Sequence, residues 1–278
     1  MIPKSAVQAF QTNGYVVIPE FVDQEGIAKL KGQAQQIAQD GLIPQNNIFT
    51  TQNQEQHSDQ YFLDSSHKVS CFFEEEAFDS SGELKYSKPR SINKIGHALH
   101  TLDPIFKKFA HSPATTQLFI SLGLQKPTLR QSMYIFKQPS IGGAVDPHCD
   151  ATFIKTSPDS CIGLWLALDD ASQENGCLWV MPGSHRHEPS QRFCLDPNSR
   201  EIFFKGDKPS WDSSQEIPIE CKAGTIVGLH GYLLHRSSKN NSPFSREAFT
   251  LHATDSSNSK WLDDNWMGPN HKFLSTTE

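Results

Sequence analysis

The chain has 278 residues, of which 36% are hydrophobic and 20% charged, and its formal net charge at pH 7 is −6. A net negative chain without long runs of one sign argues against a nucleic-acid-binding protein, because neutralising phosphates requires a basic surface. No apolar stretch approaches the roughly 20 residues that cross a bilayer, and the first residues lack the apolar core of a signal peptide. We therefore expect a cytoplasmic monomer with neither nucleic acid nor membrane as a partner.

The first elements of the chain have clear helix signals. A short helix is expected to begin at Ser5 and to end at Gly14, because glycine tolerates the left-handed conformation that closes helices. A strand is expected at 15–18. Asp23 is expected to cap a second helix that ends near Asp40, since apolar residues recur there at helical spacing.

The rest of the first half is also predicted to be largely helical. Two or three helices are expected within 91–122, where Pro104 and Pro113 each follow a capping residue. Residues 41–60 are polar and rich in glutamine and asparagine, which predicts a loop.

From about residue 129 the pattern changes to short strands separated by glycine-containing turns. Such spacing favours a β-sandwich or jelly roll over a βαβ fold. We expect one domain over 1–278, mainly β with helices, in which a mostly helical part (1–128) packs around a double-stranded barrel (129–278) with a polar insert at 186–216. The predicted strands are 133–137, one around His148, 162–168, 177–181, 225–229, 232–236 and 248–253.

The triplet His148-Cys149-Asp150 is the most informative motif. Alternate side chains of a strand share one face, so the imidazole and the carboxylate should point together while Cys149 points away. They would supply two of the three ligands in the two-histidine, one-carboxylate triad that holds Fe(II). The triplet alone is a weak signal, and an exposed turn after Pro147 is the alternative.

His235 is the preferred third ligand, because Leu233 and Leu234 bring it out of an apolar strand and Arg246 follows eleven residues later. His230 competes, since it is close to His235 along the chain. The other candidates are His185 in a turn, His57, His67 and His187 in polar stretches, His97 and His100 in a region expected to be helical, and His252 on the last strand, where a core position fits equally well.

Arg246 begins an apolar strand, where a fixed cation could hold a carboxylate co-substrate. A guanidinium group presents two parallel donors, which suit a terminal carboxylate better than an ammonium group does. A solvated or salt-bridged surface arginine is the alternative.

Several motifs accompany these residues in the sequence. The triplet is followed by Trp165, by Glu174-Asn175-Gly176-Cys177-Leu178-Trp179 and by Pro182-Gly183-Ser184-His185. Together with His235, Arg246 and the N-terminal Phe10-Gln11-x-Asn13-Gly14-Tyr15, this combination resembles the phytanoyl-CoA dioxygenase family over nearly the whole chain. The stretches 91–100 and 131–139 resemble one branch of that family.

The resemblance implies an Fe(II)- and 2-oxoglutarate-dependent dioxygenase with a cupin-like, double-stranded β-helix fold. It implies iron ligation by His148, Asp150 and His235, with dioxygen and a small-molecule substrate as further partners. The reaction is expected to decarboxylate 2-oxoglutarate to succinate and to oxidise the substrate, by hydroxylation in the leading interpretation.

The resemblance also implies the residues of the co-substrate pocket. Arg246 and Ser237 are expected to hold the distal carboxylate of 2-oxoglutarate, and Lys94, Met133 and Trp165 to line its pocket. Without the resemblance, Lys94 would be interpreted as a surface lysine, and Met133 and Trp165 as core residues.

Two other functions remain open at this point. A sensor would bind 2-oxoglutarate and metal without oxidising a substrate, and a zinc hydrolase would use the same three ligands but leave Arg246 without a role. The substrate itself is not predicted, because the family's founding member acts on an acyl-CoA in peroxisomes and this chain has no SKL-type ending. The segments 41–60 and 186–216 are expected to shape the substrate entrance.

Overall fold

Two sheets, antiparallel except for the parallel pairing of the strands Ile48–Phe49 and Val69–Glu74, form the centre of the fold. The computed structural model describes residues 2–44, 48–49 and 60–268. Its helices are α1 Lys4–Asn13, α2 Gln24–Asp40, α3 Gln60–Ser65, α4 Leu99–Leu102, α5 Pro104–Ala110 and α6 Pro113–Ser121. Its strands are β1 Tyr15–Ile18, β2 Ile48–Phe49, β3 Val69–Glu74, β4 Ile92–His97, β5 Pro127–Ile135, β6 Val145–His148, β7 Thr156–Ser157, β8 Ile162–Ala167, β9 Leu178–Val180, β10 Arg192–Leu195, β11 Ile202–Lys205, β12 Ile217–Ile219, β13 Ile226–His230, β14 His235–Ser237, β15 Ala248–Asp255 and β16 Lys260–Trp261.

The larger sheet has eight strands in the order β1-β13-β8-β15-β5-β4-β3-β2, and the smaller has four in the order β12-β9-β14-β6. Strand β8 shows how the core is divided between them. Leu164 and Leu166 pack with the helices, whereas Trp165 and Ala167 pack with the smaller sheet. Alternate side chains leave a strand on opposite faces, so the larger sheet is covered on both sides. The fold is the expected cupin-like jelly roll with helices around it.

The first two helices confirm their sequence signals. Gly14 adopts φ 84° and its N–H bonds to the Phe10 carbonyl, which closes α1. The Asp23 carboxylate accepts a hydrogen bond from the Gly26 amide at 2.8 Å, which caps α2. Neither the 17-residue α2 nor any shorter helix in the described part of the chain is suited to spanning a bilayer.

One expectation about local structure is wrong. Residues 92–97 are strand β4 and not helix, and they carry Lys94 and His97 into the larger sheet. The insert 186–216 contains the antiparallel hairpin β10–β11. Most of 41–60 lies outside the described residues, and the single-domain organisation stays a prediction.

The strand expected around His148 ends at that residue, and Asp150 opens a short 3-10 helix that ends at Thr152. The strand expected at 232–236 begins only at His235. Both shifts matter for the candidate site, because they decide how its side chains meet.

Candidate active site

Strand pairing and a tight turn bring three predicted ligands together. His235 on β14 lies directly opposite His148 on β6, and the two ring centroids are 4.2 Å apart. The Asp150 Oδ1 atom lies 4.0 Å from His148 Nε2 and 3.7 Å from His235 Nε2. Because all three donor atoms fall within 4.8 Å of one another, one metal ion can contact them together.

Each histidine is oriented by a backbone carbonyl. The Nδ1 atom of His148 is 2.8 Å from the Asp146 carbonyl, and that of His235 is 3.0 Å from the Leu233 carbonyl. Such bonds fix the tautomer in which Nε2 carries the free lone pair. Burial, and secondly the neighbouring His235, lowers the pKa of His148 to about 4, so this imidazole is neutral at pH 7.

Asp150 is held as an anion in spite of its burial. Burial alone would raise its pKa, but the imidazoles of His252 and His235 keep this pKa well below the usual range. His252 Nε2 is 3.3 Å from Asp150 Oδ1, whereas Asp150 Oδ2 is buried without a hydrogen-bond partner among the described residues. A buried polar atom without a partner costs about 1–3 kcal/mol. One carboxylate oxygen beside the Nε2 atoms of two imidazoles is a donor set that fits Fe(II).

A second buried group of side chains could receive an anion. Arg246 is 1% exposed; its Nε donates to the Gly176 carbonyl at 3.0 Å, and its Nη1 has no partner in the described part of the chain. Beside it, Lys137 donates to Ser237 Oγ at 2.9 Å and to the Gly143 carbonyl at 2.6 Å. Burial, and then the charge of Arg246, keeps the pKa of Lys137 well below its usual value. A carboxylate would compensate both cations, so the group fits one end of 2-oxoglutarate.

The remaining predicted pocket residues lie side by side on the larger sheet. Trp165, Thr250 and Met133 occupy neighbouring positions on β8, β15 and β5. Lys94 Nζ is 3.8 Å from the Met133 sulfur, and the Arg246 guanidinium lies 5.3 Å from the centroid of the Trp165 ring. Burial holds the pKa of Lys94 well below its ordinary value.

One cavity of about 500 Å³ joins the two groups. A cavity of this size suits a small-molecule site. Every residue predicted for the metal or for the co-substrate lines it: Lys94, Met133, His148, Asp150, Trp165, His235, Ser237 and Arg246.

Comparison with known proteins gives the family. The family profile described as phytanoyl-CoA dioxygenase (PhyH) matches residues 10–248. The chain is 45% identical to "Phytanoyl-CoA dioxygenase" of Arabidopsis thaliana over 258 residues, which cover 93% of this chain and 90% of the relative. It is 40% identical to "Phytanoyl-CoA dioxygenase domain-containing protein 1" of Mus musculus over 274 residues, which cover 95% of this chain and 94% of the relative.

The chain belongs to the phytanoyl-CoA dioxygenase family. The protein is therefore an oxidoreductase of the dioxygenase class, as its motifs indicate, and the branch that the two longer stretches resemble is that of phytanoyl-CoA dioxygenase domain-containing protein 1. The fold is shared with EctD of S. alaskensis solved with 2-oxoglutarate and 5-hydroxyectoine. That structure has a TM-score of 0.64 and 18% identity, over 96% of this chain and 80% of that one.

Among the described residues, the other candidate histidines do not join the triad. His252, for which the sequence left a ligand and a core position equally open, lies next to Asp150. His97 is buried against Trp266, and His230 lies beside His185 outside the cavity lining. His57 falls outside the described residues.

Two further residues of the site escaped the sequence-based prediction. Lys137 ends the apolar run 133–136, and a charged residue there was a usable signal. Gly163 on β8 carried no signal. A Cβ atom at this position would lie 2.4 Å from Asp150 Oδ2, so glycine is what leaves room for the carboxylate.

Gly163→Ala should therefore displace the Asp150 carboxylate. We expect Fe(II) affinity to fall by roughly 10- to 100-fold and the free energy of unfolding to fall by about 1–3 kcal/mol. Metal titration and thermal denaturation measure the two effects.

The matched control is Gly32→Ala within α2, where a Cβ would meet nothing within 4 Å. That change should leave metal affinity unaltered and stabilise the protein by about 0.5–1 kcal/mol. Equal metal affinity in the two variants would contradict this role for Gly163.

Proposed function

We propose that this protein couples the oxidative decarboxylation of 2-oxoglutarate to the hydroxylation of a small molecule. Family membership and the donor set support dependence on Fe(II) and 2-oxoglutarate. The overall change converts 2-oxoglutarate, dioxygen and R–H into succinate, carbon dioxide and R–OH. The observation that carries the proposal is that one cavity contains both a triad for a metal and a buried, incompletely paired arginine.

We assign the binding of Fe(II) to His148, Asp150 and His235. The backbone carbonyls that hold the two imidazoles keep their Nε2 atoms directed at the metal position. Three ligands on one face leave positions for the co-substrate and dioxygen, and the iron supplies the activation of dioxygen. The part played by this chain is to bind, to orient and to exclude water.

The far carboxylate of 2-oxoglutarate is assigned to Arg246 and Ser237. Arg246 is almost completely buried, so its attraction for a carboxylate is weakly screened. Trp165 packs beneath the guanidinium, while Lys94 and Met133 close the same side of the pocket. Lys137 fixes the Ser237 hydroxyl and adds positive charge.

Lys137→Met should weaken 2-oxoglutarate binding. A hydrogen bond to a charged group contributes about 1.5–3 kcal/mol, so the KM for 2-oxoglutarate should rise by at least about tenfold. Lys260→Met, which removes an exposed lysine from β16, should leave that KM unaltered. Steady-state kinetics with varied 2-oxoglutarate gives the comparison. A KM unchanged in Lys137→Met would exclude the residue from co-substrate binding.

The proposal is tested by comparing binding with turnover in one preparation. Calorimetry measures 2-oxoglutarate binding to the Fe(II)-loaded protein without oxygen, and succinate is then quantified after air is admitted. We expect binding followed by succinate formation, slow in the absence of a substrate. If 2-oxoglutarate bound but no succinate formed with any substrate supplied, the sensor function would be favoured and catalysis refuted.

A further inference from the structure

The cavity continues from the metal position along a series of aromatic rings. The Phe153 ring stands nearly perpendicular to that of His148, with 5.9 Å between their centroids. Phe193 and Phe204 follow, at 5.5 Å and 6.2 Å from Phe153. These three phenylalanines line the same cavity as the metal position, so a molecule that extends from the metal along this side would contact them.

Two further rings extend this surface. Phe62 lies 6.4 Å from Phe193 and stacks on Trp266 at 4.8 Å. The rings come from α3, from the turn after Asp150, from the hairpin β10–β11 and from the segment after β16, and they meet only in the folded chain. We call this surface the aromatic wall, and it consists of Phe62, Phe153, Phe193, Phe204 and Trp266.

The more exposed cations of the cavity lining are already neutralised. Each of the three lies within 2.9 Å of a carboxylate: Lys208 of Asp146, Lys239 of Glu76 and Arg236 of Glu216. Exposed Glu75 adds a negative charge to the lining. Nothing in the described lining thus offers a surplus of exposed positive charge to the phosphates of a coenzyme A ester.

One buried neutral polar group in the described cavity lining has an unpaired acceptor atom. Gln131 is 6% exposed and lines the cavity, and its Oε1 atom has no hydrogen-bond partner among the described residues. It lies opposite His252 in the pairing of β5 with β15, and His252 in turn contacts Asp150. A buried amide facing a cavity favours a ligand that carries one matching hydroxyl or amino group.

We propose that the substrate is a neutral, ring-containing apolar molecule with one hydrogen-bond donor, bound against the aromatic wall, and not an acyl-CoA. This inference rests on the proposed function, because it assigns the substrate of the same site. Aromatic side chains favour stacked or edge-on contact with rings, and a lining whose more exposed cations are already paired with carboxylates suits an uncharged ligand. The 500 Å³ cavity must also admit 2-oxoglutarate, so the substrate is small.

The test is a binding measurement with 2-naphthol as the probe. Calorimetry is performed without oxygen on the protein loaded with Fe(II) and 2-oxoglutarate, with palmitoyl-CoA as the rival probe. We expect 2-naphthol to bind and palmitoyl-CoA not to bind. Phe204→Leu should weaken the binding of 2-naphthol by roughly 2- to 12-fold, the effect of losing one aromatic contact.

A neighbouring residue supplies the matched control. Phe203 precedes Phe204 on β11, is 45% exposed and lies outside the cavity lining. Phe203→Leu should leave the Kd for 2-naphthol within about twofold of the unmodified protein, since the side chain points away. Gln131→Leu, which replaces the amide with an apolar group of similar size, should weaken binding by roughly tenfold.

Two results would overturn the inference. One is equal binding of 2-naphthol by the Phe204→Leu and Phe203→Leu variants, and the other is binding of palmitoyl-CoA without binding of 2-naphthol. The titration requires no turnover. A protein that forms succinate but does not bind 2-naphthol therefore refutes the substrate class alone, whereas one that binds 2-naphthol and never forms succinate refutes the proposed function alone.

Discussion

Asp150→Ala should abolish Fe(II) binding and, with it, the turnover of 2-oxoglutarate. Asp150 contributes the sole carboxylate of the triad, and its Oδ2 atom is buried without a partner in the described part of the chain. Loss of residues that merely orient a metal ligand reduces affinity by about 10- to 100-fold, and loss of the ligand itself should exceed that range. Anaerobic metal titration and succinate release measure the two effects.

Two further variants make the result specific to the carboxylate. Asp150→Asn keeps the shape of the side chain but removes its charge, and we expect it to bind Fe(II) almost as poorly. Asp79→Ala removes a carboxylate whose hydrogen bonds to described residues all lie within its own exposed turn, and it should behave like the unmodified protein. Iron-dependent succinate formation retained in Asp150→Ala, with unchanged circular dichroism, would remove this residue from the metal site.

Arg246→Lys should raise the KM for 2-oxoglutarate although the charge is conserved. Lysine cannot present two parallel donors, and it would also lose the bond from Nε to the Gly176 carbonyl and the contact with Trp165. Truncating one partner of a buried, hydrogen-bonded charge pair costs about 2–5 kcal/mol. Since 1.4 kcal/mol corresponds to a factor of ten, the expected increase is about 30-fold or more.

The kinetic constants separate this role from a structural one. Arg186→Lys, at a residue that bonds to the Thr12 carbonyl at the surface, serves as the control and should leave the KM unaltered. Glutarate, which shares the far carboxylate of 2-oxoglutarate but lacks its keto group, should inhibit the unmodified protein more strongly than Arg246→Lys. If the variant kept its affinity for both compounds, the anion site would have to lie elsewhere in the cavity.

The sequence predicted the three triad residues, but for a reason that is only partly correct. Alternation along a strand was expected to align His148 with Asp150, whereas the strand ends at His148 and a 3-10 turn carries Asp150. The carboxylate reaches the imidazoles because Ala151 N–H bonds to the Gly231 carbonyl at 2.8 Å, which fixes the turn. Contacts between distant segments of this kind are not encoded in local periodicity.

The position of His235 depends on strand register. It faces His148 because β14 pairs with β6 in one alignment, and a shift by one residue would direct it to the other side of the sheet. The apolar residues before His235 and its interval to Arg246 supported it as a ligand, but the distance between His235 and Asp150 follows only from the folded sheet. His252 illustrates the same limit, because its contact with Asp150 crosses from β15 to a turn.

The missed strand β4 has a physical explanation. Its isoleucines at 92 and 95 are three residues apart, which imitates helical spacing, but the segment is buried on both faces. A strand buried on both faces loses the alternation that identifies strands. The hairpin β10–β11 gives no clear alternation in sequence, because Cys194 separates Phe193 from Leu195 and Phe203 separates Ile202 from Phe204.

The most direct test of the central claim is the release of labelled carbon dioxide from 2-oxoglutarate labelled at carbon 1. The metal-free protein is divided and loaded with Fe(II) or with Zn(II), with and without oxygen. We expect one carbon dioxide per dioxygen consumed with Fe(II) in air, and none with Zn(II) or without oxygen. Release that is absent with Fe(II) in air, or equal with Zn(II), would contradict the assignment of His148, Asp150 and His235 as the iron site of a 2-oxoglutarate-dependent dioxygenase.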